Sequence, residues 1–169
     1  MFYLGVNYVL RHTLILSKIL INSFYKLYFK FVMKPTHIEH LGIAVNKLED
    51  VIPYYEQLLG TKCYNIEEVV DQKVRTAFFK CGQTKIELLE PTSEESTIAK
   101  WLEKNPKGGV HHVAFCVEGL QVVLDECAAA GIQLIDKAPR KGAEGLNIAF
   151  LHPKSTHGVL TELCEDPNK

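Results

Sequence analysis

His40-Leu41-Gly42-Ile43-Ala44-Val45 and His112-Val113-Ala114-Phe115-Cys116-Val117 open two half-length segments of this chain in the same manner. The segments also close alike, with Lys85-Ile86-Glu87-Leu88-Leu89 in the first and Leu160-Thr161-Glu162-Leu163-Cys164 in the second. In each half a histidine opens a strand-like run and a glutamate sits in the run that closes it. The His-to-Glu separations are 47 and 50 residues, as expected of one unit used twice with small loop differences.

Between those ends the order of elements repeats. After the strand Ile38 to Val45, the residues Leu48, Val51, Ile52, Tyr55, Leu58 and Leu59 fall at helical spacing, and Gly60 supplies a stop. After the strand Val113 to Val117, Leu120, Val123, Leu124, Cys127 and Ala128 repeat the arrangement, ending at Gly131. Three β-type runs follow each helix: Cys63 to Ile66, Val74 to Lys80 and Thr84 to Leu89, then Gln133 to Asp136, Asn147 to His152 and Gly158 to Cys164. Each half therefore reads strand, helix, three strands. Between the halves, Ser93-Glu94-Glu95-Ser96-Thr97 caps a helix from about Ile98 to Lys104, and Asn105-Pro106-Lys107-Gly108-Gly109 returns the chain. The expected class is α+β: two βαβββ modules, 36–91 and 109–166, joined by a linker helix in 93–108, forming one domain over 36–166. The curled sheets of the two modules, related by an approximate twofold, would form a cupped mixed sheet around a metal cavity.

With 169 residues, 47% of them hydrophobic and 23% charged, the chain has material for one filled core. A net charge of -1 argues against nucleic acid as a main partner. The charge is uneven, however. Residues 1–32 hold four basic residues (Arg11, Lys18, Lys26, Lys30), no acid, and eight of the sixteen aromatics; the remaining 137 residues carry -5. Three readings of this extension stand open: an organelle-targeting peptide, an amphipathic helix on a membrane surface, or an over-extended frame whose true start is Met33. A membrane span is disfavoured, because Arg11 and Lys18 leave no run of about 18 uncharged residues.

The five cysteines (Cys63, Cys81, Cys116, Cys127, Cys164) are scattered, odd in number and without a C-x-x-C pair, which is neither a disulfide framework nor a zinc ribbon. Cys116 and Cys164 read as small core residues. A reducing cytoplasm is the expected compartment.

His40 and His112 share one slot of the repeat, and Glu87 and Glu162 share another. A lone strand histidine is ordinarily satisfied structure, but four ligand-type residues at two repeat-equivalent slots point to a metal centre. Two imidazoles and two carboxylates suit a divalent first-row ion such as Co²⁺, Mn²⁺, Zn²⁺ or Ni²⁺ with open positions left. By period-2 alternation Ile86 and Leu88 turn away from Glu87, while Leu160 and Cys164 share the face of Glu162 and are expected on the cavity wall. His111, beside His112, is expected to face the other way. His37, His152 and His157 are weaker candidates.

These residues also carry a resemblance. The doubled pattern with His and Glu at those slots resembles the vicinal oxygen chelate superfamily, and within it the methylmalonyl-CoA epimerase family. The stretches that carry it are residues 37–45, 85–91, Ser96-Thr97-Ile98-Ala99-Lys100-Trp101-Leu102, Gly109-Val110-His111-His112-Val113-Ala114-Phe115, and Phe150-Leu151-His152-Pro153-Lys154-Ser155 with 158–163. The Ser-Thr-Ile-Ala-Lys-Trp-Leu segment and the His-Pro-Lys-Ser loop are the most particular. Residues 1–32 have no counterpart in that family.

The resemblance implies a fold and a chemistry. It implies epimerisation of (R)- and (S)-methylmalonyl-CoA at C2 in propionate/succinate interconversion, by removal and return of a proton through a metal-stabilised enolate. Co²⁺ is the ion expected ahead of Mn²⁺, Zn²⁺ or Ni²⁺, held by His40, Glu87, His112 and Glu162, and Glu162 is also the implied base; an exposed β edge makes a homodimer the expected assembly, with no membrane partner for the catalytic domain. Some relatives place a proposed second base in the middle strand of the first module, where this chain has Thr76, which has no acid–base function. Lys107, Arg140, Lys141 and Lys154 are candidates for the CoA phosphates. The competing readings are a glyoxalase I-like lyase, a dioxygenase, which would use only three ligands, and a metal-free small-molecule-binding module.

Overall fold

The computed structural model describes residues 33–168; the three readings of the 1–32 extension lie outside the described residues. Lys34–Lys169 make up one compact unit. Its elements are β1 (His37–Ala44), α1 (Leu48–Leu59), β2 (Asn65–Val69), β3 (Val74–Cys81), β4 (Thr84–Pro91), α2 (Thr97–Lys104), β5 (Gly109–Cys116), α3 (Leu120–Ala129), β6 (Arg140–Lys141), β7 (Asn147–Leu151) and β8 (Thr161–Glu165).

All eight strands belong to one mixed sheet, in the order β2-β3-β4-β1-β5-β8-β7-β6. β1 runs parallel to β4 and β5 parallel to β8, while β1 and β5 pair antiparallel at the centre. The two modules therefore form one cupped mixed sheet, as expected: β1 and β5 pair along their inner edges and leave no break between the modules. The halves mirror each other about that central pair, so His40, Glu87, His112 and Glu162 come from the four adjacent strands β1, β4, β5 and β8.

Alternation along the strands separates two faces. Ala77, Phe79, Leu88 and Ile86 pack against Leu48, Val51, Ile52, Tyr55 and Leu59 of α1, while Thr76, Phe78, Glu87 and Leu89 face the cavity. Burying each such Leu or Phe contributes roughly 1.5–3 kcal/mol, which fixes the register, since a one-residue slip would exchange the faces. Gly60 ends α1 in the left-handed region at φ 63°. Ser96 caps α2 by accepting from the Ile98 N–H at 3.2 Å, and α2 closes one end of the cavity face by packing Ile98, Trp101 and Leu102 on Ala44, Val74 and Leu89.

The second module departs from the expected strands in one place. Gln133 to Asp136 is not a strand; it makes a single bridge, Leu134 to Leu151, and the edge ladder is instead β6 on β7. The Asp136 carboxylate accepts from the Phe150 N–H at 2.9 Å and from Arg140 Nε at 3.2 Å. It thereby takes the donor that a continuing ladder would need.

Candidate metal centre and the cavity around it

The concave side of the sheet encloses a cavity of about 200 Å³ walled by apolar side chains such as Phe78, Leu146, Ile148 and Phe150. At its floor the four predicted residues meet. Nε2 of His40 lies 2.9 Å from Nε2 of His112, and the two rings stand edge to face, 83° apart. One oxygen of Glu87 lies 3.2 Å from His40 Nε2 and 3.7 Å from His112 Nε2; one oxygen of Glu162 lies 3.8 and 3.3 Å from the same atoms. All four residues are at most 5% exposed, so bulk water does not satisfy their charges.

Burial works against the charge on each of these groups. It opposes protonation of His40, but the Glu87, Glu39 and Glu162 carboxylates outweigh it and raise that imidazole to about 9. Burial, reinforced by the neighbouring His40 and His111, holds His112 well below the ordinary histidine value. Burial lifts Glu162 to about 8 and also raises Glu87. Two carboxylates beside two closely spaced imidazoles, all buried, form a donor set of the kind that suits a divalent cation. The spacings among these atoms, 2.9 to 3.8 Å, bracket the roughly 3.0–3.6 Å that separates ligands standing about 2.0–2.2 Å from one ion. The ligating atoms of His40, His112 and Glu162 all lie within 4.8 Å of one another, and a Glu87 oxygen stands as near to the two imidazoles from the β4 side.

Two β-bulges shape this centre. Along β1 and β5 the register steps from Ile38–Phe115 to His40–Ala114, and from Gly42–His112 to Ile43–Val110. Glu39 and His111 are therefore the extra residues, one in each module and each just before a predicted ligand. A bulge puts neighbouring side chains on one face, and this corrects the expectation for His111. It lines the cavity, its Nδ1 lies 3.0 Å from Nδ1 of His112, and Trp101 of α2 packs edge-on against it. Glu39 is its counterpart, with Oε2 2.5 Å from His40 Nδ1.

The other candidates are distributed differently. Leu160 lines the cavity as expected, but Cys164 does not; it is sealed among Ala114, Ile148, Phe150 and Leu146. His37 bonds Thr36 at the surface and His152 accepts from the Lys154 N–H. His157 has φ 53° and does not reach the cavity. Of the four proposed phosphate partners only Arg140 reaches the main cavity, where it lies over the Phe150 ring. Lys141 bonds Asn147, Lys107 borders a separate groove, and Lys154 sits in the 3₁₀ turn Pro153–Ser155. Thr76 does face the cavity, its hydroxyl donating to the Glu67 carbonyl at 3.3 Å. Glu39, Lys85 and Glu144 are site residues that sequence reasoning missed; for Lys85, the signal was its place two residues before Glu87 on an alternating strand.

The chain matches, over residues 39–150, the family described as the Glyoxalase/Bleomycin resistance protein/Dioxygenase superfamily, and it belongs to that superfamily. It is 44% identical over 128 residues to the uncharacterized protein YqjC of Bacillus subtilis (strain 168), covering 76% of this chain and 91% of that one. It is 37% identical over 128 residues to the mitochondrial methylmalonyl-CoA epimerase of Dictyostelium discoideum, covering 76% and 77%. Among solved structures, a single-substitution variant of Streptomyces coelicolor methylmalonyl-CoA epimerase in complex with 2-nitronate-propionyl-CoA superposes with a TM-score of 0.76 at 37% identity, covering 79% of this chain and 96% of that one.

Proposed function

We propose that this chain is a methylmalonyl-CoA epimerase that interconverts the (R) and (S) thioesters at C2. The observation that carries the reading is the meeting of His40, Glu87, His112 and Glu162 at the buried floor of the cavity. Its support from outside the chain is the likeness to proteins bearing that name and to a structure holding a CoA thioester analogue.

The hydrogen on C2 lies between a thioester and a carboxylate, so its removal spreads negative charge over oxygens on both sides. His40, Glu87, His112 and Glu162 would hold a divalent ion, Co²⁺ in our reading, which would supply Lewis-acid stabilisation of that charge worth several kcal/mol. Glu162 is the group we propose takes the proton from one face of C2, burial strengthening a hold on the proton that coordination weakens; inversion then requires a proton delivered to the opposite face, by a second residue, by bound water or by Glu162 serving both faces. Glu144, the cavity-wall carboxylate outside the ligand set, is engaged by Lys85 and Tyr64, and Thr76 offers no acid–base group. Phe78, Ile148 and Phe150 keep the reacting carbon from water. Arg140 is placed to meet an anionic part of the substrate.

The same reading makes the protein a cytoplasmic homodimer in propionate/succinate interconversion, which five free cysteines support for the reducing compartment. Among the described residues no helix is long and apolar enough to cross a membrane. The decisive experiment is incubation of the Co²⁺-loaded protein with methylmalonyl-CoA in D₂O. Deuterium should enter C2 and should stop entering after chelation; Co²⁺-loaded protein that leaves C2 unlabelled would defeat the proposal.

A further inference from the structure

Lys85 occupies an unusual position beside this centre. It is the Cα partner of His40 across β4 and β1, it faces the cavity two residues before Glu87, and its side chain is only 16% exposed. Its ammonium bonds two carboxylates at once: Oε1 of Glu39, and Oε2 of Glu144 at 2.6 Å. The other oxygen of Glu39 is the one against His40 Nδ1.

Glu144 comes from the opposite module. It lies in the turn Ala143–Gly145, in the left-handed region at φ 52° and ψ 23°, a conformation that costs a non-glycine residue about 1 kcal/mol or more. That conformation is held by bonds to the first module. The Glu144 N–H donates to the Glu67 carboxylate at 3.1 and 3.2 Å, and Tyr64 donates its hydroxyl to Oε2 at 3.1 Å. Ala143 and Glu144 both line the cavity, so the turn is part of the wall a substrate meets. A continuous path therefore runs from the turn through Lys85 and Glu39 to the imidazole of His40. Among the described residues no equivalent path stands behind His112, whose Nδ1 faces His111 instead.

A buried cation between two carboxylates is weak as a source of stability, because desolvation offsets most of the attraction. Its consequence for a metal ligand is larger. A carboxylate on Nδ1 keeps the proton there, frees Nε2 to ligate, and fixes the ring plane. Lys85, on the second oxygen of that carboxylate, limits its rotation away from Nδ1. Resting on the metal reading given above, we propose that Lys85 is a positioning residue: through Glu39 it holds the His40 ring in ligating orientation, and through Glu144 it fastens the turn at 143–145 against the cavity.

The test uses the whole chain and reads Co²⁺ affinity by chelator competition, together with kcat and KM for methylmalonyl-CoA, on variants whose folding is checked by circular dichroism. Lys85→Met should weaken Co²⁺ binding about 10- to 100-fold, the usual effect of losing an outer partner of a ligand, and should raise KM; Lys85→Arg should recover most of the affinity. Glu39→Gln should lose as much affinity as Lys85→Met, with no further loss in the double variant, since both cut one path. Glu144→Gln should raise KM while leaving Co²⁺ affinity unchanged. Folded Lys85→Met with the unsubstituted chain's Co²⁺ affinity overturns the proposal, and should that variant not fold, Glu39→Gln with unaltered affinity does the same. An unsubstituted chain that binds no Co²⁺ brings down the metal reading itself, a result separate from failure of the Lys85 link.

Discussion

Gly42 lies directly beneath the imidazole of His112. A Cβ at Gly42 would stand 2.1 Å from Cε1 and 2.4 Å from Nδ1 of that ring, and the two residues are Cα partners across β1 and β5. The absent side chain at position 42 is thus the space that His112 occupies on its way to His40. Gly42→Ala should drive the ring out of line, cutting metal affinity at least about 10- to 100-fold and costing about 1–3 kcal/mol as overpacking. Chelator competition and thermal unfolding read the two effects; an unaltered metal affinity would show that His112 is not a ligand.

Glu162→Gln keeps the size of the side chain and one oxygen donor but removes the carboxylate. Deuterium exchange at C2 should fall about 10²- to 10⁴-fold, the usual share of a general base. Metal content of the purified variant is measured alongside. Normal exchange with the ion retained rules Glu162 out as the proton carrier.

Metal binding should depend steeply on pH. To ligate, His40 must release the Nε2 proton that its carboxylate neighbours hold up to about 9 in the protein groups alone, despite opposing burial. The protonated form therefore competes at every pH below about 9, and apparent affinity should rise up to tenfold per pH unit between roughly 6 and 9 for each proton displaced. Calorimetric titration in buffers of different ionisation enthalpy counts the released protons. No proton release and a flat affinity profile would contradict this arrangement.

Thr76 is 1% exposed and spends its hydroxyl on the Glu67 carbonyl. Thr76→Val should cost about 1 kcal/mol for that hydrogen bond and leave the exchange rate at C2 within a few-fold. A loss of activity on the scale of Glu162→Gln would mean that the Thr76 hydroxyl handles a proton after all.

Much of the centre was legible from the chain because a repeat announces itself. His40 and Glu87 gain meaning from His112 and Glu162 at the same slots, and alternation correctly turned Ile86 and Leu88 away from Glu87 onto α1. Alternation failed at His111 for a definite reason. It presumes a regular ladder, and the bulge at that residue depends on how β5 registers against β1, a strand about seventy positions earlier. The missing strand at Gln133 to Asp136 has a similar origin, since whether Asp136 bonds the Phe150 N–H is decided only when β7 arrives beside it.

The doubled order of elements, their caps and stops, and the repeat-equivalent placing of His40, Glu87, His112 and Glu162 are written in the chain itself, because apolar periodicity and turn chemistry act over a few residues and leave a local record. That β1 and β5 are the strands joining the modules, that bulges turn Glu39 onto His40 and His111 into the cavity, and that Lys85 joins Glu39 to Glu144 emerge only on folding. Those outcomes rest on contacts between residues tens of positions apart, whose partners are chosen by strand register and by the cost of leaving buried charges unpaired.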